Sequence, residues 1–311
     1  MTSEETLEKL NEIRGKLQDY DYTDLVFMLN DLVPRIPVSV INLGKESPKP
    51  VSNDLLNYRT LYRARPHKEH LSNTSFPTLS EISYLKEEDK QKLTEFGRVN
   101  KPEQPMFYCS TELHTACMEG ISKGVNLDKL NTDCTYWLTV GRWKMLEDLS
   151  LGEIIKSPEA LLSLQKDAPA LNIPDTDIQN AKKYLEQSKV KVNDDDKFSL
   201  MNIFGEEFAK IRIDDHKEYM MSNYYADRIL NKIDGYSMES VDGIIYPSVP
   251  SGYKYKNIVL EPPIVDSKLE FLGATKVKVT IVPGKKINWE ILHPGLGVKA
   301  DDKGNLLWEV Q

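Results

Sequence analysis

Between Gly97 and Glu119 the chain reads GRVNKPEQPMFYCSTELHTACME, and no other stretch constrains the fold as much. Gly97, Arg98, Asn100, Pro102 and Pro105 fall close together, a composition that makes turns and extends neither a helix nor a strand. Met106 to Cys109 reads as a short strand. Thr111 follows as an N-cap for a helix starting at Glu112, with Ala116, Cys117 and Ile121 at helical spacing and Gly124 as its stop. One loop–strand–helix unit thus carries a cationic turn, an aromatic strand end at Tyr108 and a helical carboxylate at Glu119. Sites for anionic ligands are commonly laid out in this way.

Composition narrows what such a unit can serve. A chain of 311 residues can bury a sizeable core in one or two domains. The net charge of −8 argues against nucleic acid or an anionic membrane as the main partner. No apolar run approaches the ~20 residues of a membrane span. The start, MTSEETLEK, is acidic and helical, unlike a signal peptide. Cys109, Cys117 and Cys134 make an odd, sparse set that fits a reducing compartment. The expectation is a soluble cytoplasmic protein.

Along the chain, Thr2 and Glu5 have capping-box spacing, and Leu7, Leu10, Ile13 and Leu17 form an apolar stripe. A second helix over Asp24 to Leu32 stops at Pro34. This hairpin reads as a packing or oligomer element, the face a homodimer would use. Val38 to Leu43 reads as a strand, and KESPKPVSND as a loop. A short helix is expected between His70 and Leu93, and a buried strand over Thr132 to Val140. Ser157-Pro158 opens a helix. Further helices are expected over Asp175–Gln187, Ser199–Ile211 and Lys217–Ile233, with KVKVNDDDK as a surface loop. Asp242 to Ser248, Asn257 to Leu260 and Lys268 to Val282 read as strands, and DDKGNLLWEV as hairpin-like. No internal repeat or low-complexity linker is present. The expected organisation is a helical hairpin with linker strand over residues 1–50 and one domain over 51–311, carrying a helical insertion at about 128–223.

Tyr58 to Arg65, YRTLYRAR, alternates aromatic or apolar residues with arginines. Period two puts Arg59, Leu61, Arg63 and Arg65 on one face of a strand. The face is either a charged outer surface or one where an arginine serves a phosphate, which guanidinium pairs bidentately.

These blocks together carry a resemblance. YRAR near Tyr62, then GRVNxPxxPxFYCSxExxTAxxE, then DGIIYPSV followed by an Asn-led strand, resemble the RES family, named for its Arg, Glu and Ser. The resemblance implies an α+β protein with an ADP-ribosyltransferase-like mixed sheet and an enzyme that consumes NAD+. Members hydrolyse or phosphorolyse NAD+, or transfer ADP-ribose to a protein, and include toxins of toxin–antitoxin pairs. An Xre-type antitoxin is the partner it implies, and no metal is implied. Carried over by position, the catalytic residues are Arg63, Glu119 and Ser248. Arg98, Asn100 and Tyr108 fall on other motif positions, and Arg65 shares the strand face of Arg63. Two features depart from the pattern. Many members have Gly shortly after the Asn of the turn, where this chain has Glu103, and compact members are far shorter.

The residue types suit the implied reaction. Cleavage of the nicotinamide–ribose bond passes through an oxocarbenium-like state, as in glycoside hydrolysis. Glu119 would stabilise positive charge on the sugar or polarise a nucleophile. Arg63 or Arg98 would hold the pyrophosphate, Tyr108 would stack on the cationic nicotinamide, and Ser248 would hydrogen-bond the ribose or the carboxamide. Structural readings stand beside these: Arg98 as a turn arginine, Tyr108 as a core aromatic, Ser248 as a turn residue. Cys109, His114 and Cys117 lack a fourth zinc ligand nearby. Three functions remain open: a NAD+ glycohydrolase or phosphorylase acting as a toxin or defence effector, a mono-ADP-ribosyltransferase, and an inactive nucleotide-binding or scaffold protein.

Overall fold

In the computed structural model the elements run α1 (Ser3–Arg14), α2 (Tyr22–Leu32), β1 (Ser39–Leu43), β2 (Thr60–Pro66), α3 (Leu79–Ile82), β3 (Phe107–Ser110), α4 (Leu113–Ser122), β4 (Cys134–Met145), β5 (Leu149–Glu153), α5 (Pro158–Asp167), α6 (Asp175–Val192), α7 (Asp195–Ala209), α8 (Met220–Leu230), β6 (Gly243–Pro247), β7 (Lys256–Leu260), α9 (Pro262–Lys268), β8 (Leu269–Ile281) and β9 (Asn288–Ile291). The structure describes residues 3–33, 38–46, 59–67, 76–122, 133–167, 173–192, 195–210, 213–231, 241–282, 288–292 and 297–308. Thr2, Pro34, Tyr58, Gly124, Asp128 and Thr132, to which the sequence assigns roles, lie outside them. The fold is α+β. Contacts divide the chain into two units, each assembled from separated segments. Met1–Asn42, Lys90–Gln104 and Ser150–Tyr253 form the first, and Leu43–Asp89, Pro105–Leu149 and Lys254–Gln311 the second.

In the second unit the alternating run LEFLGATKVKVTI makes β8, which pairs antiparallel with β4 from Cys134↔Ile281 to Met145↔Leu269. β2 lies on the other side of β4, in register from Thr60↔Lys144 to Pro66↔Leu138. It meets β3 where Tyr62 stands opposite Ser110, and β3 pairs with β7 from Phe107↔Leu260 to Ser110↔Asn257. Both faces of this sheet are covered. On one, Cys117 and Ile121 of α4 join Leu138, Val140, Val277 and Val279, with Tyr62 and Ala64 packed against them. Gly120 lets α4 approach closely, since a Cβ there would stand 3.2 Å from Leu138. On the other face, Ile82, Ala274, Val298 and Leu306 cluster, and Trp143 bridges Phe107 and Phe271 at 4.9 and 5.4 Å between ring centroids. A register shift between Arg142 and Trp143 sets that ring beside Gly141.

In the first unit β5 and β6 run parallel, from Leu151↔Gly243 to Glu153↔Ile245. Parallel strands need a long crossover, and α5 to α8 supply it. β6 is buried throughout, as its unbroken apolar reading demands. Ser157 caps α5 by accepting from Ala160 N. Phe204 of α7 stacks on Tyr225 of α8 at 4.7 Å. α1 is tied to α7 by Arg14, whose Nε donates to the buried Glu207 at 2.6 Å, while Lys210 pairs with the same carboxylate at 2.6 Å.

Several boundaries differ from the sequence reading. Lys189 to Lys197, expected as a surface loop, is helical through Val192 and again from Asp195. α8 begins at Met220 after a 3₁₀ turn whose cap, Asp215, accepts from Lys217 N at 2.8 Å. β5 and α9 have no counterpart in the sequence reading. β5 is short and contains Ser150 and Gly152, so local pattern does not distinguish it from a loop.

A Cβ at Gly141 would fall into the Trp143 ring. Gly141→Ala is expected to cost about 1–3 kcal/mol through overpacking, read as a lower urea midpoint with unchanged m-value.

Candidate active site

The second unit carries Arg63, Arg65, Tyr108 and Glu119. Directly opposed residues of paired strands share a face. Tyr62, Ser110 and Asn257 therefore line the side of the sheet that α4 covers, and Tyr108 joins them by alternation. Arg63 and Arg65 leave β2 on the reverse side with Leu61, as period two requires. Arg65 lies over the Phe76 ring at 5.5 Å.

Arg63 sits where β2 leaves β3. Its Nη1 donates to the Tyr108 carbonyl at 2.9 Å, and its guanidinium stands 5.3 Å from the Phe107 ring centroid. Nε is buried without a hydrogen-bond partner among the described residues. Burial, helped by the neighbouring Arg65 charge, pushes its pKa down to about 10, so it stays cationic at neutral pH. The structure thus holds a desolvated guanidinium against a neutral carbonyl and an aromatic face, an arrangement that favours an incoming anion.

Glu119 lies on α4, on the side of Tyr108. Its Oε1 accepts from Asn257 Nδ2 at 2.6 Å, and Asn257 is only 3% exposed. The start of α4 is held by Ser110, which accepts from Glu112 N at 3.3 Å and donates to the Lys256 carbonyl at 3.0 Å. The helix begins at Leu113, one residue later than the sequence places it, and Ser110 holds the residue that leads into it. Asn257 is the residue that the sequence reading left without a role. Its signal was an amide leading the otherwise apolar strand NIVL.

Arg98, Asn100 and Ser248 belong to the first unit. Arg98 Nη1 and Nη2 donate to the carbonyls of Phe208 and Lys210 at 2.7 and 2.6 Å, and the guanidinium faces Tyr219 at 5.3 Å. It thereby closes the C-terminus of α7, where carbonyls lack partners and positive charge suits the dipole. The Asn100 carbonyl accepts from Gly97 N at 2.9 Å, and Asn223 on α8 donates to the Gly97 carbonyl. Lys101 to Gln104 then form a turn closed by Gln104 N to Lys101 O at 3.1 Å. Pro102 precedes Glu103, whose φ of 60° is left-handed. A turn of this kind favours Gly at that position, and this chain fills it with Glu103. Ser248 is fully buried at the end of β6, and its carbonyl accepts from Tyr253 N and Ser251 Oγ, both at 2.9 Å.

Burial pushes the Cys117 thiol up to about 12 and Cys109 up as well, so neither is a ready thiolate. Among the described residues no three His, Cys, Asp or Glu side chains are placed to hold a metal, and no helix is long and apolar enough to cross a membrane.

The RES domain family model matches residues 60–271, more than half of the chain, and no curated protein is matched. The chain belongs to the RES domain family. Membership supports a function directed at NAD in general terms, without selecting a reaction.

Two outcomes test the turn. Glu103→Gly is expected to stabilise by about 0.5–1 kcal/mol, seen as a raised Tm, because it relieves left-handed backbone. Arg98→Ala leaves two helix-end carbonyls without their charged donor and is expected to cost about 1.5–3 kcal/mol in denaturant titration.

Proposed function

We propose that this protein cleaves the nicotinamide–ribose bond of NAD+, passing ADP-ribose to water or phosphate as a glycohydrolase or phosphorylase. The observation that carries the reading is Glu119, a carboxylate within the family match, which accepts from the buried amide of Asn257 at 2.6 Å. A carboxylate is the group that stabilises a sugar turning cationic as the bond breaks. Tyr108, on the same side of the sheet, is assigned to the nicotinamide ring. Arg63, a buried cation that leaves β2 on the side of the sheet away from Glu119 and donates to the Tyr108 carbonyl, is assigned to the pyrophosphate, reached where β2 and β3 part. Arg65 lends it a second positive charge. Ser248 is assigned to hydrogen bonding with the substrate, and Arg98 and Asn100 to the shape of the turn.

As a reaction, the glycosidic C–N bond breaks with its electron pair leaving on neutral nicotinamide. A lone pair of water or phosphate then forms the new bond to the anomeric carbon, and water gives up a proton to solvent. Depletion of NAD+ by this route is the action of a toxin or defence effector, with an Xre-type antitoxin as the protein partner and the cytoplasm as the site of action; the apolar stripe of the N-terminal hairpin, Leu10, Ile13 and Leu17, is buried within the chain and serves packing, not a second copy.

Nicotinamide release by the purified chain, with and without phosphate, is the test. Glu119→Gln is expected to lower release by ~10²-fold or more while leaving the fold intact. Dependence on phosphate selects phosphorolysis. Label from radioactive NAD+ appearing on a protein, with no free ADP-ribose, selects ADP-ribosyl transfer. Wild-type protein that yields neither product overturns the reading.

A further inference from the structure

We infer that Asn257 is a positioning residue that orients the Glu119 carboxylate without neutralising it, an assignment that rests on the NAD+-cleaving reading above. The strand that carries it grips α4 at two places. Ser110, opposite Asn257, joins the Lys256 carbonyl to the first turn of the helix, and Asn257 itself reaches Glu119 further along the same helix. At 2.6 Å the contact is short for a nitrogen donor, as bonds to a charged acceptor tend to be. Asn257 is nearly sealed from solvent, so water cannot readily replace it as donor.

The chemistry selects an amide. Lysine or arginine would offset the charge that a cationic transition state needs. Serine is too short to span the distance that an amide covers, and an ionised aspartate would repel Glu119. A carboxamide donates a hydrogen bond and adds no charge of its own. The titratable and charged side chains on the elements around Glu119, on its side of the sheet, are His114 and Cys117 on α4, Tyr62 on β2, Tyr108 on β3, and Cys134, Tyr136, Arg142 and Lys144 on β4, with Lys256 preceding Asn257 on β7.

The experiment is nicotinamide release by the full chain as a function of pH, for wild type, Asn257→Ala and the isosteric Asn257→Asp, with circular dichroism as the check on folding. Asn257→Ala is expected to lower kcat by roughly 10–100-fold with little change in KM. In Asn257→Asp two carboxylates share one proton at low pH, and the protonated aspartic acid then donates to Glu119 as the amide does. Release by this variant is expected to approach wild type at acid pH and to fall as pH rises, giving an alkaline limb that wild type lacks. A folded Asn257→Asp with the wild-type pH profile, alongside active wild type and inactive Glu119→Gln, overturns the positioning role alone. Wild type with no nicotinamide release at any pH overturns the underlying reading and this assignment with it.

Discussion

The parting of β2 from β3 is the constraint on which the second unit depends. β2 keeps register with β4 along its whole length, while its pairing with β3 is confined to Tyr62 opposite Ser110. Past that point the Tyr108 carbonyl must find a donor elsewhere, and Arg63 supplies it. An ordinary apolar residue in this place would remove that donor, at a cost comparable to the bond itself. The same placement strips the guanidinium of water. A structural requirement of the sheet and a cation suited to an anionic ligand are thus met by one side chain.

On the other side of the sheet the demands are different. α4 packs its small and apolar residues against β2, β4 and β8, with Gly120 allowing the close approach. That packing decides where Glu119 emerges, and Ser110 and Asn257 tie the helix to β7 through neutral polar groups. A carboxylate fixed in a polar network is held in one orientation toward whatever is bound beside it.

In the first unit the polar turn at Gly97 serves the helices that follow β5. Arg98 closes α7, and Asn223 of α8 reaches back to Gly97. The helices that follow β5 are therefore tied to the polar turn at Gly97. Glu103 holds a left-handed backbone there because the turn is closed by its own hydrogen bonds and preceded by Pro102, which presets the turn.

Much of this was legible in the chain itself. Period two in LYRAR placed Arg63 and Arg65 apart from Tyr62 and Ala64, because alternation is a property of any strand. Ser157-Pro158 announced α5, and the order of the three RES blocks identified the family that the match over residues 60–271 shows. Local pattern failed where the decision was not local. The aspartate-rich run after Lys189 reads as a loop from composition, yet it is largely helical, since helix ends tolerate charge. β5 is a strand because β6 offers it a ladder. Which partner meets Arg98, and that Asn257 meets Glu119 across 138 positions of sequence, depends on chain segments brought together by burial. The sequence by itself determined the periodicities, the turns and the residue types available for chemistry, because these follow from covalent geometry and side-chain character. Only the tertiary structure decided the pairs, because hydrogen bonds between distant residues form where packing of the apolar core leaves their donors and acceptors face to face.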